Sequence, residues 1–130
     1  MKISELRSLE DLRGSLRHQA ETKWKAGMSR QYLASDGKKE LGLLIVETPL
    51  NRDFLAVCKV FVVPESRHNG VGSALMFEAE RLARSQGKGR LRLRPEPFDG
   101  TLTRAQLLLW YSNLGYTTCA DNKEELEKVL

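Results

Sequence analysis

The amino-acid sequence predicts an α/β protein of the α+β kind, with elements in the order β-α-β-β-β-α-β-α-β-β. Three observations predict it. A run rich in Val, Phe, Leu and Cys begins at Phe54 and is stopped by Pro64, which has no N–H to give a sheet ladder. A basic loop with two glycines follows, and Val71, Ala74, Leu75, Ala79, Leu82 and Ala83 then recur at helical spacing. Asp36-Gly37, between two short apolar runs, is the signal of a tight hairpin.

A chain of 130 residues is long enough for a core of its own, and no linker or repeat interrupts it, so a single domain over residues 1–130 is expected. An apolar content of 41% with 29% charged residues excludes a disordered chain. The net charge of +4 suits an anionic cofactor and acidic partners equally. No nucleic-acid partner is expected, because the aromatic residues are not interleaved with the basic ones. No apolar run is long enough to cross a bilayer, and MKISELRSLEDL has no leader-like apolar stretch, so a cytoplasmic protein without membrane attachment is expected. His18 and His68 lie far apart, which predicts no metal site. Cys58 and Cys119 fall in predicted strands and are expected as reduced, buried thiols in preference to a disulfide.

Taken in order, Met1 to Leu6 reads as a short strand. Ser8 stands as an N-cap with Asp11 at the capping-box position, and Leu9, Leu12, Leu16, Ala20 and Trp24 follow at spacings of three and four. This predicts a helix with Arg13, Arg17, Lys23 and Lys25 on its wet face, ended by Gly27. Arg30 to Ser35 and Leu41 to Glu47 are strands across the Asp36-Gly37 turn, and TPLNRD leads into the central strand. The helix after the basic loop runs from Gly72 to Gly87, a glycine placed to cap it. Arg90 to Arg94 alternates arginine and leucine, the period of a strand with one buried face, and Arg90, Arg92 and Arg94 are most simply its wet side. PEPFDG is a loop, and Thr103 caps a helix over TRAQLLLWYSNLG that ends at Gly115. Tyr116 to Ala120 and Leu126 to Leu130 are expected to pair around DNKE, in preference to a terminal helix.

The chemistry gathers at Arg67 to Ser73. The first N–H groups of a helix have no acceptor within it, and the helix dipole favours an anion beside them. Gly70 and Gly72 leave room for a phosphate and permit a positive φ. Successive N–H groups from Arg67 to Ser73 are expected to make a nest for a pyrophosphate, with the Arg67 guanidinium adding charge. Neither GxxxxGK[ST] nor GxGxxG occurs here. VVPESRHNGVGSAL spells V-x-P-x-x-R-x-x-G-x-G instead, and it resembles the acetyl-CoA-binding motif of the GNAT N-acetyltransferases. WYSNLGY, Trp110 to Tyr116, resembles a second signature of that family, whose element order this chain also matches.

The resemblance implies a GNAT fold: a central mixed, mostly antiparallel sheet of about six to seven strands flanked by helices. It implies acetyl-CoA as co-substrate, with Val62 and Val63 at the pantetheine-binding strand end. Arg67, His68, Asn69, Gly70, Val71, Gly72 and Ser73 would be the pyrophosphate loop. The activity implied is N-acetylation of a primary amine by direct attack in a ternary complex. Tyr111 takes the position of the general acid, and a backbone N–H near Val62 is expected to polarise the thioester carbonyl where the central strand parts from its neighbour. Two positions depart from the family pattern. Ala56 stands where histone-type members carry a basic glutamate, and Glu47, Asp53 and Glu65 are most simply surface charges. Arg104 stands where an Asn often contacts pantetheine. Many members use ordered water in place of a dedicated base. The acceptor is expected to be a small-molecule or peptide amine, and a homodimer is compatible with the family. The competing function is a CoA-binding or protein-interaction module without turnover.

Overall fold

The computed structural model describes residues 1–20, 29–97 and 102–130. Among these, seven strands form one sheet in the order β1-β2-β3-β4-β5-β7-β6. The strands are β1 (Lys2–Glu5), β2 (Ser29–Asp36), β3 (Lys39–Glu47), β4 (Phe54–Val62), β5 (Arg90–Leu93), β6 (Thr117–Thr118) and β7 (Leu126–Val129). The helices are α1 (Val71–Ser85) and α2 (Arg104–Asn113). Every neighbouring pair is antiparallel except β4 with β5, which the crossover through α1 makes parallel. The chain closes as a hairpin and not as a terminal helix. β6 is shorter than expected because the Tyr116 N–H donates to the Tyr111 carbonyl, closing α2 instead of joining the ladder.

Apolar side chains fill both faces of the sheet. On one face Leu44, Val46, Leu55, Val57, Leu91 and Leu93 meet Leu75, Met76, Ala79, Leu82 and Ala83 of α1. On the other, Leu43, Ile45, Phe61 and Val63 lie beneath Leu6, Leu12, Leu16 and Ala20. β3 serves both layers, which is why Leu41 to Val46 is buried without interruption.

The helix expected after Ser8 is not formed over the described residues. Ser8 and Asp11 do make a capping box, but it heads one 3-10 turn, Leu9–Asp11, and a second turn covers Ser15–His18. Leu12 and Gly14 between them are extended. The cause is Glu40 on β3, whose carboxylate accepts the Arg13 and Gly14 N–H groups at 2.9 and 2.7 Å. Those are donors that a continuing helix would have turned inward. The apolar spacing was right about burial and wrong about conformation. Lys23, Trp24, Lys25 and Gly27 lie outside the described residues, as do positions 98–100 of the PEPFDG loop.

β4 is irregular at the point that matters most. Ile45 faces Lys59 while Val46 faces Val57, so Cys58 is an extra residue, a bulge. Cys58 is therefore exposed rather than buried, while Cys119 is buried just beyond β6, and the two form no disulfide. The parallel partner β5 ends at Leu93, opposite Val57. Past the bulge β4 keeps β3 on one side and has no strand partner on the other among the described residues.

Candidate active site

The Val63 N–H donates to the Leu41 carbonyl at 2.9 Å, and Gly42 lies opposite Val62. In an antiparallel ladder this makes Val62 a non-hydrogen-bonded position, with its own N–H and C=O directed away from β3. Val60, two residues earlier and opposite Leu44, has the same orientation. The open edge of β4 is thus a short row of main-chain groups at Val60 and Val62. Val63, expected to share this role, turns its N–H to β3 and its side chain into the second core. Val60 was missed, although the two-residue period from Val62 would have found it.

This edge lines a cleft of about 610 Å³. The glycine loop forms one end of it: Arg67, His68, Gly70, Val71, Gly72 and Ser73 all line it, whereas Asn69 does not. His68 and Gly70 both adopt left-handed backbone, at φ +66° and +82°. Glycine takes that conformation freely and histidine only with support. Gly70 is the N-cap of α1 without a capping side chain, and the first helical bond runs from Ala74 N–H to the Gly70 carbonyl. The Val71, Gly72 and Ser73 N–H groups therefore have no acceptor within the helix. Three such donors at a helix N-terminus are the arrangement that suits an anion. The Arg67 Nε donates to the Val62 carbonyl at 2.9 Å, and the guanidinium lies over the Phe61 ring, so this side chain braces the loop against β4. Gly72 has a different task. A Cβ there would come 3.1 Å from the Trp110 ring, so α1 and α2 approach this closely only over glycine.

The opposite wall belongs to α2. Thr103 and Gln106 form its capping box, and Leu107, Leu109, Trp110, Tyr111 and Asn113 face the cleft. Tyr111 is buried between Trp110 and Tyr116, both edge-on to it. That burial pushes its phenol up to about 12, so it is protonated at neutral pH and able to donate. Arg104 does not reach the cleft; its Nη1 donates to the Pro95 carbonyl and holds the β5–α2 connection.

Other charged candidates are dispersed. Glu65 is exposed on the 3-10 turn Pro64–Ser66, and the Asp53 carboxylate accepts the Gly89 N–H at 2.8 Å. Of the arginines of RLRLR, Arg92 is buried, Arg90 is half-buried, and Arg94, just past β5, is exposed. Arg90, Arg92 and Arg94 pair with Glu127, Asp121 and Glu124 of the closing hairpin at 3.0, 2.7 and 3.0 Å. Arg92 is buried, with Phe54 beneath its guanidinium, and it holds the Asp121 carboxyl below its usual range. Among the described residues no cluster of His, Cys, Asp and Glu could hold a metal ion, and no helix is long and apolar enough to cross a membrane.

The family model described as an acetyltransferase (GNAT) domain matches residues 28–118. No curated protein matches in sequence. Among solved structures, nourseothricin acetyltransferase aligns at 25% identity and TM-score 0.64 over 79% of this chain, which spans 66% of that protein's length. An aminoglycoside 6'-N-acetyltransferase complexed with coenzyme A aligns at 16% identity and TM-score 0.72, covering 99% of this chain and 97% of that one. An IAA acetyltransferase from Bacillus cereus ATCC 14579 aligns at 17% identity and TM-score 0.71, covering 99% of both. The last two agree in fold.

Proposed function

Because this chain belongs to the GNAT acetyltransferase family, we propose that it is an acetyl-CoA-dependent N-acetyltransferase acting on a small-molecule or peptide primary amine. One observation carries the proposal: the parted edge of β4, the free N–H groups of α1 and the Tyr111 wall share a single cleft. In that cleft the α1 N–H groups take the pyrophosphate, Val62 pairs with the amide-rich arm, and the Val60 N–H reaches the thioester oxygen. A solved structure of the same fold is a complex with coenzyme A, which supports coenzyme A as the ligand of this cleft.

The reaction is direct attack in a ternary complex. The amine loses one proton and its lone pair forms a C–N bond to the acetyl carbon, while negative charge grows on the oxygen facing Val60. The C–S bond then breaks. The second amine proton, released as the amide forms, balances the one that the sulfur acquires. Tyr111 is the hydrogen-bond donor to that sulfur, which leaves as a thiolate and takes its proton from solvent, where the second amine proton goes. A phenol held near 12 is a weaker acid than a thiol, so outright transfer is uphill by roughly 4 kcal/mol. Hydrogen-bond donation to the developing thiolate is the role its burial favours.

Calorimetric titration with acetyl-CoA, then with dephospho-CoA and ATP, tests the cleft. One-to-one binding selective for acetyl-CoA is expected, and its absence in a folded, cofactor-free sample removes the assignment. Tyr111→Phe should lower turnover by about tenfold to a hundredfold while acetyl-CoA affinity stays the same; wild-type turnover would end the donor role. A CoA-binding module without turnover is the second reading, favoured by Ala56 where a basic carboxylate would stand. Release of CoA with any member of a broad amine panel decides against it.

A further inference from the structure

We propose that His68 couples cofactor binding to pH: the protonated imidazole supplies the net positive charge that the cleft otherwise lacks, so acetyl-CoA is held more tightly as the solution becomes acid. The inference rests on the reading of the cleft as an acetyl-CoA site given above.

The side-chain charges around the cleft cancel. Among the described residues, its charged or ionisable lining consists of Arg67, His68, Glu96 and Tyr111, and burial keeps the Tyr111 phenol protonated. Arg67 and Glu96 offset each other in formal charge. Arg67 is also committed to the protein, since its Nε donates to the Val62 carbonyl at 2.9 Å and its guanidinium lies over the Phe61 ring. The remaining walls bring no charge. The first turn of α1 has no acidic residue, and α2 presents Gln106, Leu107, Leu109, Trp110 and Asn113. Glu65, on the 3-10 turn Pro64–Ser66, is exposed and does not line the cleft. A dianionic pyrophosphate would therefore meet main-chain N–H groups and almost no net side-chain charge. Histidine is the side chain whose charge changes between about pH 5 and 8.

Its position makes that change felt. His68 is exposed on the cleft side of the loop, between Arg67 and the start of α1, in left-handed backbone at φ +66°. In the free protein an imidazolium there faces the positive end of the helix dipole; in the complex it faces a dianion. Proton and cofactor thus favour one another, and each raises the affinity for the other by the same factor. The added affinity is complete where His68 is already charged in the free protein. It is lost as the pH rises past the point at which His68 holds its proton in the complex.

The test titrates wild type and His68→Asn calorimetrically with acetyl-CoA from about pH 5.5 to about pH 8.5. Asparagine tolerates left-handed backbone and carries no charge, and the exposed position leaves the fold intact. The phosphate monoester of the cofactor and His18 also titrate in this range, so the readout is the ratio of the two dissociation constants at each pH, in which both effects cancel. The ratio should be close to unity at the alkaline end. At the acid end His68→Asn should bind about fivefold more weakly than wild type, the lower range for coupled sites. Near neutral pH, enthalpies in two buffers of different ionisation heat should show wild type taking up more of a proton on binding than the variant. A ratio that stays constant or falls toward acid pH, or equal proton uptake by the two proteins, overturns the role of His68 and leaves the acetyl-CoA site standing. A folded wild type that binds no acetyl-CoA at any pH overturns the cleft assignment, and this inference with it.

Discussion

Two segments of this chain meet the sheet with the same apolar spacing and a glycine near their start, and they end differently. At Gly70 the backbone is left-handed, fifteen residues of α-helix follow, and the first N–H groups have no acceptor within the helix. At Gly14 the backbone is extended, the segment stays in short 3-10 turns, and Glu40 has already taken the Arg13 and Gly14 N–H groups. The first segment leaves its donors open at a cleft; the second has them satisfied from within. Apolar periodicity reports which side is buried, and the disposition of the N–H groups decides whether an anion site results.

The comparison can be strained from its strongest point downward. Leu16→Ala and Leu75→Ala both empty fully buried sites and should each lower stability by about 2–5 kcal/mol in urea unfolding. If Leu16→Ala is nearly neutral, the turn segment is not docked as described. Gly72→Glu places a carboxylate between Val62 and Trp110, and should weaken acetyl-CoA binding at least about a hundredfold, roughly 2.7 kcal/mol. Unchanged affinity in a folded variant would remove the anion site from α1. Glu40→Ala should act in the opposite sense, lowering stability by about 1–2 kcal/mol through the two abandoned N–H groups while acetyl-CoA affinity holds. Gly70→Ala should have the smallest effect, about 1 kcal/mol of backbone strain. No protein atom lies within 4 Å of the added methyl, so a loss of acetyl-CoA affinity in calorimetry would report the pyrophosphate's own approach to Gly70.

Strand β5 tells a related story about charge. RLRLR reads as a wet arginine face, yet each arginine meets a carboxylate of the closing hairpin, and Arg92 is buried by doing so. Alternation along one strand is visible in sequence. The partner strand that neutralises it, some thirty residues later, is not.

Strand order in the middle of the chain, the Asp36-Gly37 turn, the glycine loop and the capped helices α1 and α2 were all legible, because each depends on residues within a few positions of one another. So was the set Arg67, His68, Gly70 to Ser73 and Tyr111 that lines one cleft, since the loop and the LGY stretch carry their own local signals. The tertiary structure decided the rest. The bulge at Cys58 is a mismatch of count between β3 and β4, and it selects Val60 and Val62, not Val63, as the open main-chain edge. Glu40 stops a helix twenty-six residues away, and Glu47 comes to lie beside Ala56 across a strand pair. Local sequence sets the period of an element, whereas cross-strand register and long-range hydrogen bonds exist only once distant segments have met.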